Sequence, residues 1–232
     1  MPAETLTQLA AEVTACCRCP RLVAWREQAA AQPPARFATE RYWARPLAGI
    51  GDANARILIL GLAPAAHGGN RTGRLFTGDR SGDFLFASLH RAGFANQPES
   101  TGVGDGLVLT GAYVAAVVRC APPDNKPTPQ ERTNCLPFLV HEIDLLADLR
   151  VVVALGSFAW DGALRALADR GEHPHARPTF GHLAEAQVGP YRLIGSYHPS
   201  QQNTFTGRLT PEMLDAVWVR ARSEAGFDSD RI

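Results

Sequence analysis

Four cysteines stand at a spacing suited to metal chemistry. Cys16 and Cys19 form a C-x-x-C pair near the start of the chain, and Cys120 and Cys135 follow far downstream. Thiolates bind soft metals and iron–sulfur clusters, and four of them complete a Cys₄ shell. Such a shell would tie the N-terminal segment to the middle of the fold. A Cys₄ zinc site uses the same number of ligands. The bland alternative is that Cys120, which ends an apolar run, and Cys135, inside a helical segment, are buried small hydrophobes. The chelating pair favours metal. Of the five cysteines Cys17 is the one chosen as spare, because Cys16 and Cys19 have the chelating separation; a Cys17–Cys19 pair is the less usual alternative. An odd cysteine count without an export-type leader argues against a disulfide framework.

Three further blocks carry polar chemistry. The first is GLAPAAHGGNRTGRLFTGD, Gly61 to Asp79. Its glycines let main-chain N–H groups come close to a flat ligand. It lacks the G-x-x-x-x-G-K-[ST] order of a P-loop and the G-x-G-x-x-G order of a dinucleotide fold, so both of those classes are disfavoured. Phe76 is either a core aromatic or, inside so polar a loop, a platform on which a base stacks. Asp79 either caps the next helix or acts as an acid, base or water-orienting group. The second block, RCAPPDNKPTPQE from Arg119, is built of turn formers, with Asn125 and Lys126 as its contact residues. The third, SYHPSQQNTFTGR, places His198 at a strand end before a polar run, where it could donate a hydrogen bond to a developing oxyanion. A lone histidine more often has a structural role.

The elements that must position these blocks follow from length and periodicity. A chain of 232 residues with 45% hydrophobic content is most simply one domain, 1–232, with a sizeable core. Net charge is zero, so the whole molecule is not a polycation. Arginines 71, 74 and 80 gather in the glycine-rich block, and Arg119, Lys126 and Arg208 lie near the other two. Basic loops of this kind can make a local phosphate-binding face on a neutral protein. Lys126 is the single lysine, a bias that genomic base composition alone can produce. No apolar run reaches the roughly 18 residues of a membrane span. The N-terminus carries acids among its apolar residues and does not read as a signal peptide, so the expected location is cytoplasmic.

Residues 4–15 and 20–31 read as short helices on either side of the C-x-x-C turn, and 32–55 as irregular cover. Apolar β-forming runs at 55–62, 110–120, 150–157 and 191–200 read as four buried strands. Helices are expected from a Ser81 N-cap to Gly93, from Thr128 to about Asp148, after Ser157 to about Arg170, and after Pro211. Residues 171–190 read as loop. Strands alternating with helices imply α/β architecture with a parallel sheet covered on both faces. Ligands in such sheets bind beyond the carboxyl ends of the strands. The glycine-rich loop, the Cys120 loop and the His198 loop all leave from that edge.

In combination these segments resemble the uracil-DNA glycosylase superfamily, and within it the iron–sulfur type-5 branch. The carriers are the C-x-x-C pair, GLAPAAHG, RTGRLFTGD, RCAPPDNKPT, Cys135 and HPSQQNTFTGRLT, which together span nearly the whole chain. The resemblance implies a three-layer αβα sandwich around a four-stranded parallel sheet. It also implies a [4Fe–4S] cluster on Cys16, Cys19, Cys120 and Cys135, structural in role. The activity it implies is that of a monofunctional glycosylase in base excision repair, acting on uracil-containing, damaged DNA in the cytoplasm of a bacterial-type cell, at the nucleoid; with no clear oligomer interface in the sequence, a monomer is the default expectation. Asp79 matches the acid proposed for catalysis in that branch. Ala63 and Ala116 stand where many relatives carry polar residues. That pattern goes with a broad substrate range including hydroxymethyluracil, ethenocytosine and hypoxanthine.

On this reading a flipped base stacks on Phe76 and meets Gly61, Leu62, Ala63 and Asn125 at its edge. His198 stabilises the departing base and Asp79 the sugar cation or a water. Arg71, Arg74 and Arg208 contact phosphates. Two other classes stay open: a non-catalytic or crosslinking uracil-DNA-binding protein on the same scaffold, and a zinc-stabilised nucleic-acid-binding domain.

Overall fold

In the computed structural model, which describes residues 4–227, one six-stranded sheet runs through the molecule in the order β1-β3-β2-β4-β6-β5. The strands are β1 (Ile50–Gly51), β2 (Ile57–Gly61), β3 (Ala112–Ala116), β4 (Val151–Leu155), β5 (Glu185–Val188) and β6 (Tyr191–Ser196). The helices are α1 (Leu6–Thr14), α2 (Pro20–Ala31), α3 (Gly69–Thr72), α4 (Arg80–Arg91), α5 (Pro129–Leu145), α6 (Ser157–Asp169), α7 (Gln201–Phe205) and α8 (Pro211–Ala225). Among the described residues no helix is long and apolar enough to cross a membrane.

The four expected strands, β3, β2, β4 and β6, are parallel to their neighbours in register. The sheet has six strands rather than four because β1 and β5 add antiparallel edges. Both come from stretches expected to be irregular, 32–55 and 171–190. β1 is only two residues long. β5 has the alternating exposure of an edge strand and a short two-residue turn to β6. Each central strand is buried on both faces, so its residues divide strictly by parity. Leu58, Leu60, Val152, Ala154 and Leu193 face a core with α2, α5 and α6. Ile57, Ile59, Val151, Val153 and Ile194 face a second core with α4 and α8.

Helix ends follow local chemistry. Thr128 and Glu131 form a reciprocal capping box at α5, with Pro129 in its first turn. At α4 the cap is Asp79, whose side chain accepts from the Gly82 N–H, and not Ser81 as expected. Ser81 lies within the first turn, two residues after the cap. The two short helices α3 and α7 punctuate loops whose glycine and polar content hid them.

The chain leaves β2 for β3 on one side and then crosses to β4 on the other. The carboxyl ends of β2 and β4 therefore form a topological switch point, where open α/β sheets bind ligands.

A buried ion pair ties β3's continuation to α5. Arg119 and Glu142 are each about 1% exposed and bonded in bidentate fashion, with Nη1 to Oε1 at 2.9 Å. Glu142 Oε1 also accepts from the Gly49 N–H. Glu142→Gln would leave the Arg119 charge buried without a counter-charge. Urea unfolding is expected to show a loss of about 3–5 kcal/mol; a loss below 1 kcal/mol would mean that the pair is not essential to this face.

Candidate active site

Past the end of β2, the chain turns through Leu62, Ala63 and Pro64 into the glycine-rich loop, α3 and the N-terminus of α4. A cavity of about 230 Å³ opens there, lined by Leu62, Ala63, Phe76, Asp79, Asn125 and His198, with Ser200 at its margin. Of the residues expected at a base site, all but Gly61 line it. Gly61 lies under Phe76: a Cβ there would sit 2.5 Å from the ring's Cζ. Its lack of a side chain makes room for the aromatic rather than for ligand. Phe76 takes a left-handed backbone (φ 51°), a conformation that a bulky residue adopts only where its surroundings impose it. Its ring leans on His198, with centroids 6.1 Å apart.

Asp79 is held from several directions. Its Oδ1 accepts from the Gly82 N–H at 3.1 Å. Gly68 passes so close that a Cβ there would lie 2.2 Å from Oδ2. Burial raises the carboxyl's pKa, the α4 N–H groups of Gly82 and Ser81 oppose it, and Asp83 adds repulsion; the net effect is upward. His198 is moved the other way: desolvation pushes it down to about 4, so at neutral pH the ring is uncharged. Among the described residues no protein group hydrogen-bonds its ring, which leaves both nitrogens for a ligand. The histidine's backbone is fixed instead, by the Asn203 amide donating to its carbonyl at 2.8 Å. Gly156, at the end of β4, approaches its Cβ. Asn125 and its neighbour Asp124 both have positive φ, so the Cys120 loop presents the amide from a strained turn.

A wider groove of about 460 Å³ adjoins the cavity through Ala65, Asp79 and Asn125. Trp25, Arg36, Phe37 and Arg80 line it. Sequence reading missed Trp25, Arg36 and Phe37 as site residues, because nothing in their spacing links α2 and the 32–55 cover to this edge.

The three arginines expected at phosphates differ in their surroundings. Arg208 is exposed, stacked 4.6 Å over Tyr197. Arg71 is largely spent on the loop itself: it donates to His67 O at 2.8 Å and Gly78 O at 3.0 Å, and it pairs with Glu40. Arg74 is a correction. It is buried, and its guanidinium is bidentate to Asp105, which holds that carboxylate well below the usual range. It builds the fold and has no free donor edge for DNA.

Cys16, Cys19, Cys120 and Cys135 converge on one narrow internal cavity. Zinc would need its sulfurs within about 2.3 Å of a single ion. Among the described residues no group of three or more His, Cys, Asp or Glu side chains is placed to hold one ion. The four thiol side chains share this one cavity. N–H donors already aim at the sulfurs: Asn134 Nδ2 reaches Cys19 Sγ at 3.3 Å, and the Arg119 backbone donates to Cys135. Cys17 is exposed and does not line that cavity.

Comparison with known proteins agrees with this geometry. The family profile described as "Uracil DNA glycosylase superfamily" matches residues 48–222. A type-5 uracil-DNA glycosylase of Mycobacterium tuberculosis is 53% identical over 228 residues, covering 97% of this chain and 84% of that protein. The type-5 uracil-DNA glycosylase of Thermus thermophilus is 52% identical over 216 residues, covering 93% and 96%. That of Mycobacterium leprae is 50% identical over 227 residues, covering 97% and 98%.

Gly68→Ala tests the seat of Asp79. The methyl group cannot fit beside Oδ2, so the carboxylate must move. Turnover is expected to fall about a hundredfold with little change in the unfolding midpoint. Unchanged turnover would show that the position of this carboxylate is not critical.

Proposed function

The chain belongs to the uracil-DNA glycosylase superfamily, and we propose that it is a monofunctional glycosylase that excises uracil from DNA in base excision repair. The observation that carries this reading is the joint placement of Asp79 and an uncharged, unbonded His198 on one base-sized cavity floored by Phe76. The 50–53% identity to type-5 uracil-DNA glycosylases supports it.

The mechanism follows from the residues. A base stacked in a duplex is out of reach, so the nucleotide flips into the cavity, at a cost of a few kcal/mol that is least for a mispair. Phe76 stacks on the flipped base, and the Leu62–Ala63 backbone and the Asn125 amide read its edge. The glycosidic bond breaks with its electron pair leaving on the base. Neutral His198 donates an N–H to the oxygen where that charge accumulates; no proton need transfer. Asp79, as carboxylate, faces the cationic sugar carbon and takes the proton of the water that adds there. Lys126, the single lysine, does not line the cavity, so no amine is at hand for a Schiff base and strand cleavage. The adjoining groove, with Trp25, Arg36 and Arg80, accepts the strand on which the base was carried. Arg208 contributes a phosphate contact.

The cavity has no charged group at its Leu62–Ala63 wall, so exclusion of other bases rests on shape. Hydroxymethyluracil, ethenocytosine and hypoxanthine are proposed as further substrates. The donor set, four cysteines lining one cavity with N–H donors aimed at their sulfurs, fits a [4Fe–4S] cluster held by Cys16, Cys19, Cys120 and Cys135. When bound, that cluster cross-links α2 to the Cys120 loop and α5 and takes no part in bond breaking.

The decisive experiment is release of free base from oligonucleotides carrying U·G, U·A or single-stranded uracil, with alkali added afterwards to cleave abasic sites. Release without strand cleavage before alkali is expected, with U·G faster than U·A. A stable covalent adduct with DNA instead of free base would favour the crosslinking reading. The single-turnover rate is expected to rise with pH through an acid limb placed above the ordinary carboxylate range. Asp79 must be ionised, and its pKa is raised. His198 is already neutral there and adds no limb near neutrality. Asp79→Asn should remove the limb and cut the rate by roughly 10²-fold or more while leaving DNA binding intact. A mutant rate equal to wild type takes Asp79 out of the mechanism. Arg208→Ala should reduce the slope of log affinity against log salt by about 1 for uracil and normal DNA alike; an unchanged slope would deny it a phosphate contact.

A further inference from the structure

Arg26 is the anomaly of this structure. It lies on α2, seven residues after Cys19, and is 4% exposed. Nη1 donates to Cys120 Sγ at 3.2 Å and to the Cys16 carbonyl at 3.4 Å, and Nη2 points at Cys17 Sγ at 3.7 Å. Its Nε has no partner at all. No carboxylate among the described residues reaches it. The other two deeply buried arginines each have one: Arg74 has Asp105 and Arg119 has Glu142. A guanidinium out of water without an anion is costly. Besides the Cys16 carbonyl, the groups that the guanidinium reaches are the sulfurs of Cys120 and Cys17, so the balancing anion is to be sought in thiolate sulfur or in a group that the sulfurs hold.

We propose that Arg26 is the counter-cation of the iron–sulfur centre and raises its reduction potential. The inference rests on the cofactor reading above. Four thiolates leave such a cluster anionic, and its potential depends on net charge and on hydrogen bonds to sulfur. Gaining one electron makes the assembly more negative, so a fixed cation stabilises the reduced form more than the resting form. By the same electrostatics the cation stabilises the resting cluster relative to its oxidised form, so without Arg26 oxidation becomes easier and oxidative loss faster. Arg26 touches no substrate. It is a positioning and tuning residue, and its effect is read on the cluster itself.

The test uses the full chain, purified without air, as wild type, Arg26→Gln and Arg26→Lys. Iron and sulfide content, visible absorbance and a dithionite titration followed by electron paramagnetic resonance are measured on each. Arg26→Gln is expected to lower the reduced-to-resting ratio at a fixed potential at least tenfold, about 59 mV for one electron. It should also bleach several-fold faster with ferricyanide. Arg26→Lys, which keeps the charge, should stay close to wild type in both. If Arg26→Gln assembles no cluster but Arg26→Lys does, the charge requirement is equally upheld. Loss of the cluster in both variants would overturn the proposal in favour of a need for the guanidinium's shape, and a wild-type midpoint in Arg26→Gln would overturn it outright. Wild-type protein that holds zinc or no metal would bring down the cofactor reading first, and this inference with it; iron in the wild type separates the two failures.

Discussion

The candidate site depends on one interaction: the Asp79 carboxylate seated on the N-terminus of α4. Burial works against its charge, while the N–H groups at the helix start and the macrodipole work for it. A carboxylate balanced in this way is poorly enough solvated to hold a water or face a cation. Much of the loop is shaped to keep that seat. Gly68 passes beside Oδ2 with no room for a methyl. Gly82, whose N–H makes the cap, lies so close to the Phe76 carbonyl that a Cβ would meet it at 1.8 Å. That contact in turn accompanies the left-handed Phe76, which needs Gly61 beneath its ring. The glycines of this segment are therefore steric consequences of placing one carboxylate and one aromatic on the same small cavity.

A second constraint couples this loop to the cysteines. The buried Asn70 of α3 donates to the Arg26 carbonyl at 3.2 Å and to the Ala66 carbonyl at 3.3 Å. Its own N–H closes on Ala65. Arg26 thus faces the sulfurs with its guanidinium and the glycine-rich loop with its carbonyl. α2 also brings Trp25 into the groove beside the cavity. Were the four cysteines to hold a cluster, its removal would free the N-terminus of α2 and so reach the cavity by a short covalent and hydrogen-bonded route. A cluster outside the reaction can in this way be required for it.

How much of this was legible in the sequence follows from the range of each interaction. The four parallel strands were readable because burial on both faces demands continuous apolar runs, and the α5 cap because a capping box is local. β1 and β5 were not, since an edge strand needs only one partner and leaves no strong pattern. Asp79, Phe76, Asn125 and His198 stood out because each sits in a motif at a strand end. Gly61 was placed at the base edge because a sequence cannot tell whether a glycine admits a ligand or a neighbouring side chain. Arg74 was placed on DNA because its partner, Asp105, lies 31 residues away in a stretch with no motif. Arg26 and Asn70 escaped for the same reason: their meaning lies wholly in contacts that only the folded chain makes.

The polar groups the site lacks explain as much as those it has. Ala63 lines the cavity as a methyl group, and Ala116 is buried in the core under the sheet rather than at the cavity wall. A site that hydrogen-bonds a substrate group rejects analogues lacking it by large factors, because its own buried donors are left unpaired. An apolar wall imposes no such penalty. With Asn125 as the one side-chain amide at the cavity, discrimination falls on shape and on how readily a base leaves its stack. On the proposed function, lesions that unpair easily would then be favoured as a class. On the same proposal the apolar wall and the carefully held Asp79 are complementary: the chemistry would be directed at the sugar, which every such lesion shares.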